Sequence, residues 1–184
     1  MQTPTLDARR IRLESFTEDD VGDRYLGWLN DAEVNRFLEV RHDRQTRAMA
    51  LEFVRSFAGP TERHMWAVRA GDGGPLIGTA TMHTINRRHG TAELGIMIGE
   101  RAYWGGTTAL DVLSLMIEFA FGSGELRRLT AGTYARHWGM NLLYKRLGFA
   151  LEGTLRLAYR LDDEYVDGYR WGLLASDWTR PPRG

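Results

Sequence analysis

Two adjacent glycines, Gly105 and Gly106, stand between an apolar run ending at Ile98 and a stretch of helical periodicity that begins near Ala109. Glycine permits backbone conformations and close approaches that a Cβ forbids, and the first N–H groups of a helix have no partner within it. A junction of this kind holds an anion. Its amides donate hydrogen bonds, and the helix dipole adds roughly half a positive charge at the same point. The chemistry expected here is the binding of a phosphate-bearing cofactor. The spacing of glycine followed by Lys-Ser/Thr that marks a nucleotide-hydrolysing P-loop is absent, which disfavours that use.

A second segment lies downstream. Leu129 to Met140 followed by Leu142 to Gly153 reads as strand, break, short helix, glycine stop and strand. With these residues in place the chain resembles the GNAT superfamily of acetyl-CoA-dependent N-acetyltransferases, in its RimJ/RimL-like branch. Tyr144-Lys-Arg-Leu-Gly-Phe149 resembles the family's Tyr-x-Lys-x-Gly-Phe element. Glu152-Gly153, Tyr165-Val-Asp167 and Trp171-Gly-Leu-Leu174 resemble its C-terminal tail. The likeness runs from Ala8 to Trp178.

The resemblance implies an α/β fold with a GNAT-type mixed, mostly antiparallel central sheet, flanked by helices and splayed after the strand from Glu93 to Ile98. It implies acetyl-CoA as cofactor, its pantetheine lying in the opening like an added strand along Ile96, Met97 and Ile98. The phosphates would rest on Arg101, Trp104, Gly105, Gly106, Thr107, Thr108 and Ala109. The family loop reads Gly-x-Gly-x-Gly/Ala, and Thr107 stands at its middle glycine, where the side chain either crowds the pyrophosphate or donates its hydroxyl to it. His137 and Met140 align with an Asn and a Ser of the family, so His137 takes the place of a group that contacts the cofactor arm.

Acetyl transfer to an amine asks for few groups. An alkyl amine with a pKa of about 10 is mostly protonated at neutral pH and needs a base, whereas a thiol near 8.5 is already a fair leaving group. Tyr144, by resemblance, protonates the departing thiolate. Glu93, in the strand bordering the opening, and His83, in an adjoining strand, are the candidate bases, and a backbone N–H near Ile96 or Met97 meets the oxyanion. The segment from Tyr25 to Arg41 resembles the acceptor side of GNAT members that act on nucleotide-linked amino sugars. There Trp28 or Phe37 could stack on a base or sugar, with Asn30, Asn35 and Arg41 binding hydroxyl or phosphate groups and Glu33 and Glu39 holding substrate. The expected substrate is a small-molecule primary amine. Protein N-termini of the ribosomal type, polyamines and aminoglycosides stay open, and so does a non-catalytic acyl-CoA-binding sensor, prompted by Thr107, His137 and Met140. The family analogy allows a homodimer.

The elements that must position these groups follow from local pattern. Arg10 to Phe16 alternates like an opening strand, and Thr17-Glu-Asp-Asp20 caps a helix spanning Asp19 to Leu29. A second helix is expected over Arg44 to Phe57, with an aperiodic stretch from Asn30 to Arg41 between the two. Gly71-Asp-Gly-Gly74 turns a hairpin between Trp66–Ala70 and Leu76–Ile85. Thr91 to Ile98 is the next strand, so Glu93 lies on the face opposite Leu94. The helix from Ala109 to Phe121 is expected to start at a capping box of Thr108 and Asp111. A chain of 184 residues, 43% hydrophobic, is long enough for a sizeable core and is expected to form one domain, 1–184. Lys+Arg and Asp+Glu both total 24, which gives no argument for nucleic acid or an anionic membrane as partner. No apolar run reaches the roughly 20 residues of a membrane span and the start is unlike a signal peptide, so a cytoplasmic protein is expected. There is no cysteine, which excludes thiolate catalysis, and the five histidines lack metal-ligand spacing, so no metal is expected.

Overall fold

The computed structural model describes residues 3–8, 10–59 and 62–180. Leu6–Ala8 (β1) and Ile11–Ser15 (β2) open the chain as a small hairpin, followed by helices Asp23–Asn30 (α1) and Arg47–Ser56 (α2). His64–Arg69 (β3), Leu76–Asn86 (β4) and Thr91–Ile98 (β5) form an antiparallel meander, and Thr108–Gly122 (α3) follows. The chain ends in Arg128–Tyr134 (β6), Trp138–Arg146 (α4), Ala150–Leu161 (β7) and Glu164–Leu174 (β8). The strands make one eight-stranded sheet in the order β1-β2-β3-β4-β5-β6-β8-β7.

Among the described residues only β5 and β6 run parallel, joined through α3 by the kind of crossover that parallel strands require. Their pairing covers Thr91 to Glu93 against Arg128 to Thr130 and then stops. Beyond that rung β5 stays with β4 as far as Ile98, and β6 stays with β8 as far as Tyr134. The sheet therefore forks, and this is the splay that the family resemblance implies.

Strand alternation assigns each face of the fork. Ala92 and Leu94 belong to the core under α3 and α4, whereas Met97 belongs to the core under α1 and α2. Glu93, of Met97's parity, faces away from α3. Helix α3 is apolar nearly all round and buries Leu110, Val112, Leu113, Leu115, Met116 and Ile117. Each such side chain contributes about 1.5–3 kcal/mol by leaving water. A helix anchored in that way carries its N-terminus rigidly to the open end of the fork.

Three local expectations are corrected. The helix expected over 19–29 divides into a 3-10 turn, Glu18–Asp20, and α1, because the Asp20 carboxylate accepts both the Thr17 N–H at 2.9 Å and Arg69 at 2.7 Å. The strand β1 was not foreseen, since three residues are too short to show a period. The expected capping box of Thr108 and Asp111 does not form. Thr107 precedes the helix, and its hydroxyl donates to Asp111 Oδ2 at 3.0 Å.

Candidate active site

A cavity of about 630 Å³ occupies the fork. At one end Gly105 takes φ +72°, a left-handed conformation that few residues but glycine hold without strain, and both it and Gly106 line the cavity. The neighbouring amides are tied internally: Trp104 N–H donates to Arg101 O, and Asp111 N–H to Thr107 O at 2.8 Å. Between them, from 105 to 110, no backbone N–H has a hydrogen-bond partner among the described residues. Trp104 locks the loop by donating from its indole to Ile98 O at 2.7 Å. Thr107 has φ −88° and ψ −5°, so its position makes no conformational demand for glycine, and its hydroxyl is spent on Asp111.

The wall of the cavity opposite β5 is α4, and a buried polar cluster holds it there. Asn141, 6% exposed, accepts from Thr133 Oγ1 at 2.5 Å and donates to the carbonyls of Tyr134 and Ala135 at 3.2 and 3.0 Å. Trp171 Nε1 donates to the same Thr133 hydroxyl at 3.0 Å. These bonds fix helix to strand in register. One turn on, Tyr144 is enclosed between Phe149 and Trp171, with ring centroids 4.9 and 6.0 Å away, yet it lines the cavity. Burial raises its pKa, and the charge of Glu93 across the fork raises it further, so the phenol keeps its proton.

The other face carries the acidic and basic groups. Glu93 stands opposite His83 in β4 and accepts from Arg170 Nη1 at 3.1 Å. Burial lowers the His83 pKa, an effect that Glu93 partly offsets and Arg63 reinforces, so the imidazole is neutral. Its Nδ1 lies 3.0 Å from Thr84 Oγ1, at a bulge where Thr84 has φ +52°. His137 is stacked flat on Phe37 at 4.3 Å, and burial drives its pKa down to about 4.

Of the residues singled out from sequence, Ile96, Met97, Ile98, Trp104, Gly105, Gly106, Ala109, His137, Met140, Tyr144, Glu33 and Phe37 line this one cavity. Thr107, Thr108 and Arg101 flank it, and Glu93 and His83 lie by the apex of the fork on the α1 face. Arg101 is held by Asp31 at 2.6 Å and Glu33 at 2.6 Å, so a phosphate would share its guanidinium with them. The remaining acceptor candidates hold the fold together. Trp28 is buried with its ring against Gly99. Asn30 ties Leu26 O to both backbone groups of Gln45, and Asn35 donates to Leu29 O. Glu39 accepts from Tyr134 at 2.9 Å, and Arg41 pairs with Asp162 at 2.8 Å. Sequence reasoning passed over Asn141 and Arg170. An amide one turn before Tyr144, on the same helix face, was a signal for the first, whereas nothing local marks the second. Among the described residues no cluster of His, Asp and Glu could hold a metal, and no helix is long and apolar enough to cross a membrane.

The residues present fit acetyl-CoA: unpaired amides at a helix start for the pyrophosphate, an unzipped strand edge for pantetheine amides, and an apolar lining for the arm. Comparison with known proteins agrees. Residues 10–150 match the family described as Acetyltransferase (GNAT) domain. The chain is 27% identical over 156 residues to "Uncharacterized N-acetyltransferase YoaA" of Bacillus subtilis (strain 168), covering 83% of this chain and 86% of that one. It is 34% identical over 92 residues to the ribosomal-protein-serine acetyltransferase of Escherichia coli (strain K12), covering 50% and 51%. Its fold matches the spermidine N-acetyltransferase from Vibrio cholerae, solved with CoA and spermine, at TM-score 0.81 and 19% identity, over 91% of this chain and 97% of that one. A forked sheet, a free-amide loop and a sequence match over most of the length place this chain in the GNAT family, as an acetyl-CoA-dependent N-acetyltransferase.

Proposed function

We propose that the protein transfers the acetyl group of acetyl-CoA to a primary amine of a small molecule, which enters the fork from the α1 face beside Glu93. The observation that carries this reading is the continuity of one cavity from the unpaired amides of 105–110, past the open edge of β5, to Tyr144 and Phe37.

The cofactor supplies an activated acyl group as a thioester. Gly105, Gly106 and the first turn of α3 bind its phosphates, while the open edge of β5 from Ile96 to Ile98 orients the arm. Glu93, directly or through neutral His83, receives the proton that the amine must lose, and a β5 N–H near Ile96 or Met97 faces the oxygen on which negative charge develops. Tyr144 donates its proton toward the sulfur. Because its pKa is raised above that of a thiol, complete transfer from the phenol alone is uphill. The proton given up by the attacking amine makes the overall exchange balance, so Tyr144 works as a relay and hydrogen-bond donor.

The commitment of Trp28, Asn30 and Asn35 to packing withdraws three of the groups that a nucleotide-linked amino sugar would use and leaves Phe37, stacked on His137, as the aromatic wall of the cavity, which favours a compact amine. Thiol release from acetyl-CoA over a panel of polyamines, aminoglycosides, peptide N-termini and nucleotide-linked amino sugars tests the proposal. Turnover with a small amine is expected. Tight acetyl-CoA binding with no turnover on any amine would replace the enzyme by an acyl-CoA sensor.

A further inference from the structure

Arg170 reaches the site from a strand that does not border it. It lies on β8 opposite Gly132 of β6, and its guanidinium passes over β6 to donate to Glu93 on β5 at 3.1 Å. The passage depends on glycine: a Cβ at residue 132 would stand 3.2 Å from Arg170 Nη1, tighter than ordinary contact. Glu93 belongs to the last paired rung of β5 and β6, facing Thr130, so the ion pair sits where the two strands part. The guanidinium is 47% exposed and the carboxylate 27%. A pair so open to water adds little to stability. Its consequence is therefore geometric.

We propose that Arg170 is a positioning residue for acetyl transfer, holding the Glu93 carboxylate at the apex of the fork in the direction of the incoming amine. The inference rests on the reading of Glu93 as the proton acceptor. A free glutamate spreads over several rotamers, and one guanidinium from across β6 narrows that spread before substrate binds. Gly132 is part of the same device, since it keeps the path of the arginine clear and itself lines the cavity.

The test is steady-state kinetics of Arg170→Met, Arg170→Lys, Gly132→Ala, Glu93→Gln and the double variant Arg170→Met/Glu93→Gln, with acetyl-CoA and the best amine of the panel. Arg170→Met is expected to lower kcat about tenfold or more while the KM for acetyl-CoA stays within about threefold, and Arg170→Lys to recover part of the loss. Gly132→Ala is expected to fall between wild type and Arg170→Met, and it keeps the test open should Arg170→Met fold poorly. In the Glu93→Gln background Arg170→Met should cost nothing further, because the group it positions is already gone. If Glu93→Gln alone retains full activity, the reading of Glu93 falls and this proposal with it. If Glu93→Gln is impaired but Arg170→Met matches wild type, or the two losses multiply, only the positioning role is overturned.

Discussion

Tyr144→Phe removes one oxygen from the best-enclosed group of the site. The ring keeps its contacts with Phe149 and Trp171, and at 2% exposure the hydroxyl gains little from water. Its loss should therefore change stability by less than about 1 kcal/mol, since a desolvated polar group is traded for an apolar one of the same shape. The kinetic effect should be far larger. A hydrogen bond from a neutral donor to sulfur gaining negative charge in a buried site is worth about 1.5–3 kcal/mol, a factor of roughly 10 to 150 in kcat. The assay is thiol release at saturating acetyl-CoA and amine, with acetyl-CoA affinity measured separately by calorimetry. A loss confined to kcat, at unchanged affinity, marks a group that acts in the transition state. Tyr144→Leu supplies the contrast: it opens a hole in the core and should cost about 2–4 kcal/mol of stability as well. Turnover of Tyr144→Phe within twofold of wild type would remove the phenol from the chemistry and leave it a packing residue.

Thr107→Gly should alter acetyl-CoA affinity by less than about threefold, because the threonine backbone is already right-handed and its hydroxyl is bound to Asp111; a larger gain measured by calorimetry would show that the side chain crowds the phosphates. The folded pKa of His137, about 4, lies below the 6.5 of the unfolded chain, so the fold loses stability as pH falls from 6.5 toward 4. His137→Phe should abolish that term, worth about 1–2 kcal/mol once the solvent contact of a half-buried ring is allowed for, and equal slopes of Tm against pH in the two proteins would contradict it. Asn141→Leu leaves the Thr133 hydroxyl without its acceptor and the carbonyls of Tyr134 and Ala135 without this donor, which should cost about 2–4 kcal/mol in denaturant unfolding. An unfolding midpoint equal to that of wild type would show that α4 is held to β6 by apolar packing alone.

Much of this molecule is written in local pattern. The glycines at 71–74 specify the β3–β4 hairpin, alternation from Thr91 to Ile98 puts Glu93 and Leu94 on opposite faces, and the apolar run behind Ala109 specifies a buried helix whose first amides are free. Each of these needs only neighbours a few residues away, and so does the Gly105-Gly106 turn. The family resemblance of Tyr144 to Phe149 carried the splay, which no single strand encodes.

Other features belong to pairs of positions far apart in the chain. That Trp28 meets Gly99, that Arg101 is shared by Asp31 and Glu33, and that Asn141 closes a cluster with Thr133 and Trp171 depends on which strands lie side by side. The placing of β8 between β6 and β7 brings Arg170 across Gly132 to Glu93, 77 residues away in sequence. The residues alone determined a glycine turn ahead of a helix with free first amides, a two-faced strand and a tyrosine on a helix, because hydrophobic period and glycine conformation are local properties. Tertiary structure decided that they share one cavity and which charges attend it, because strand order and helix docking are settled by burial of the whole core and not by any segment of it.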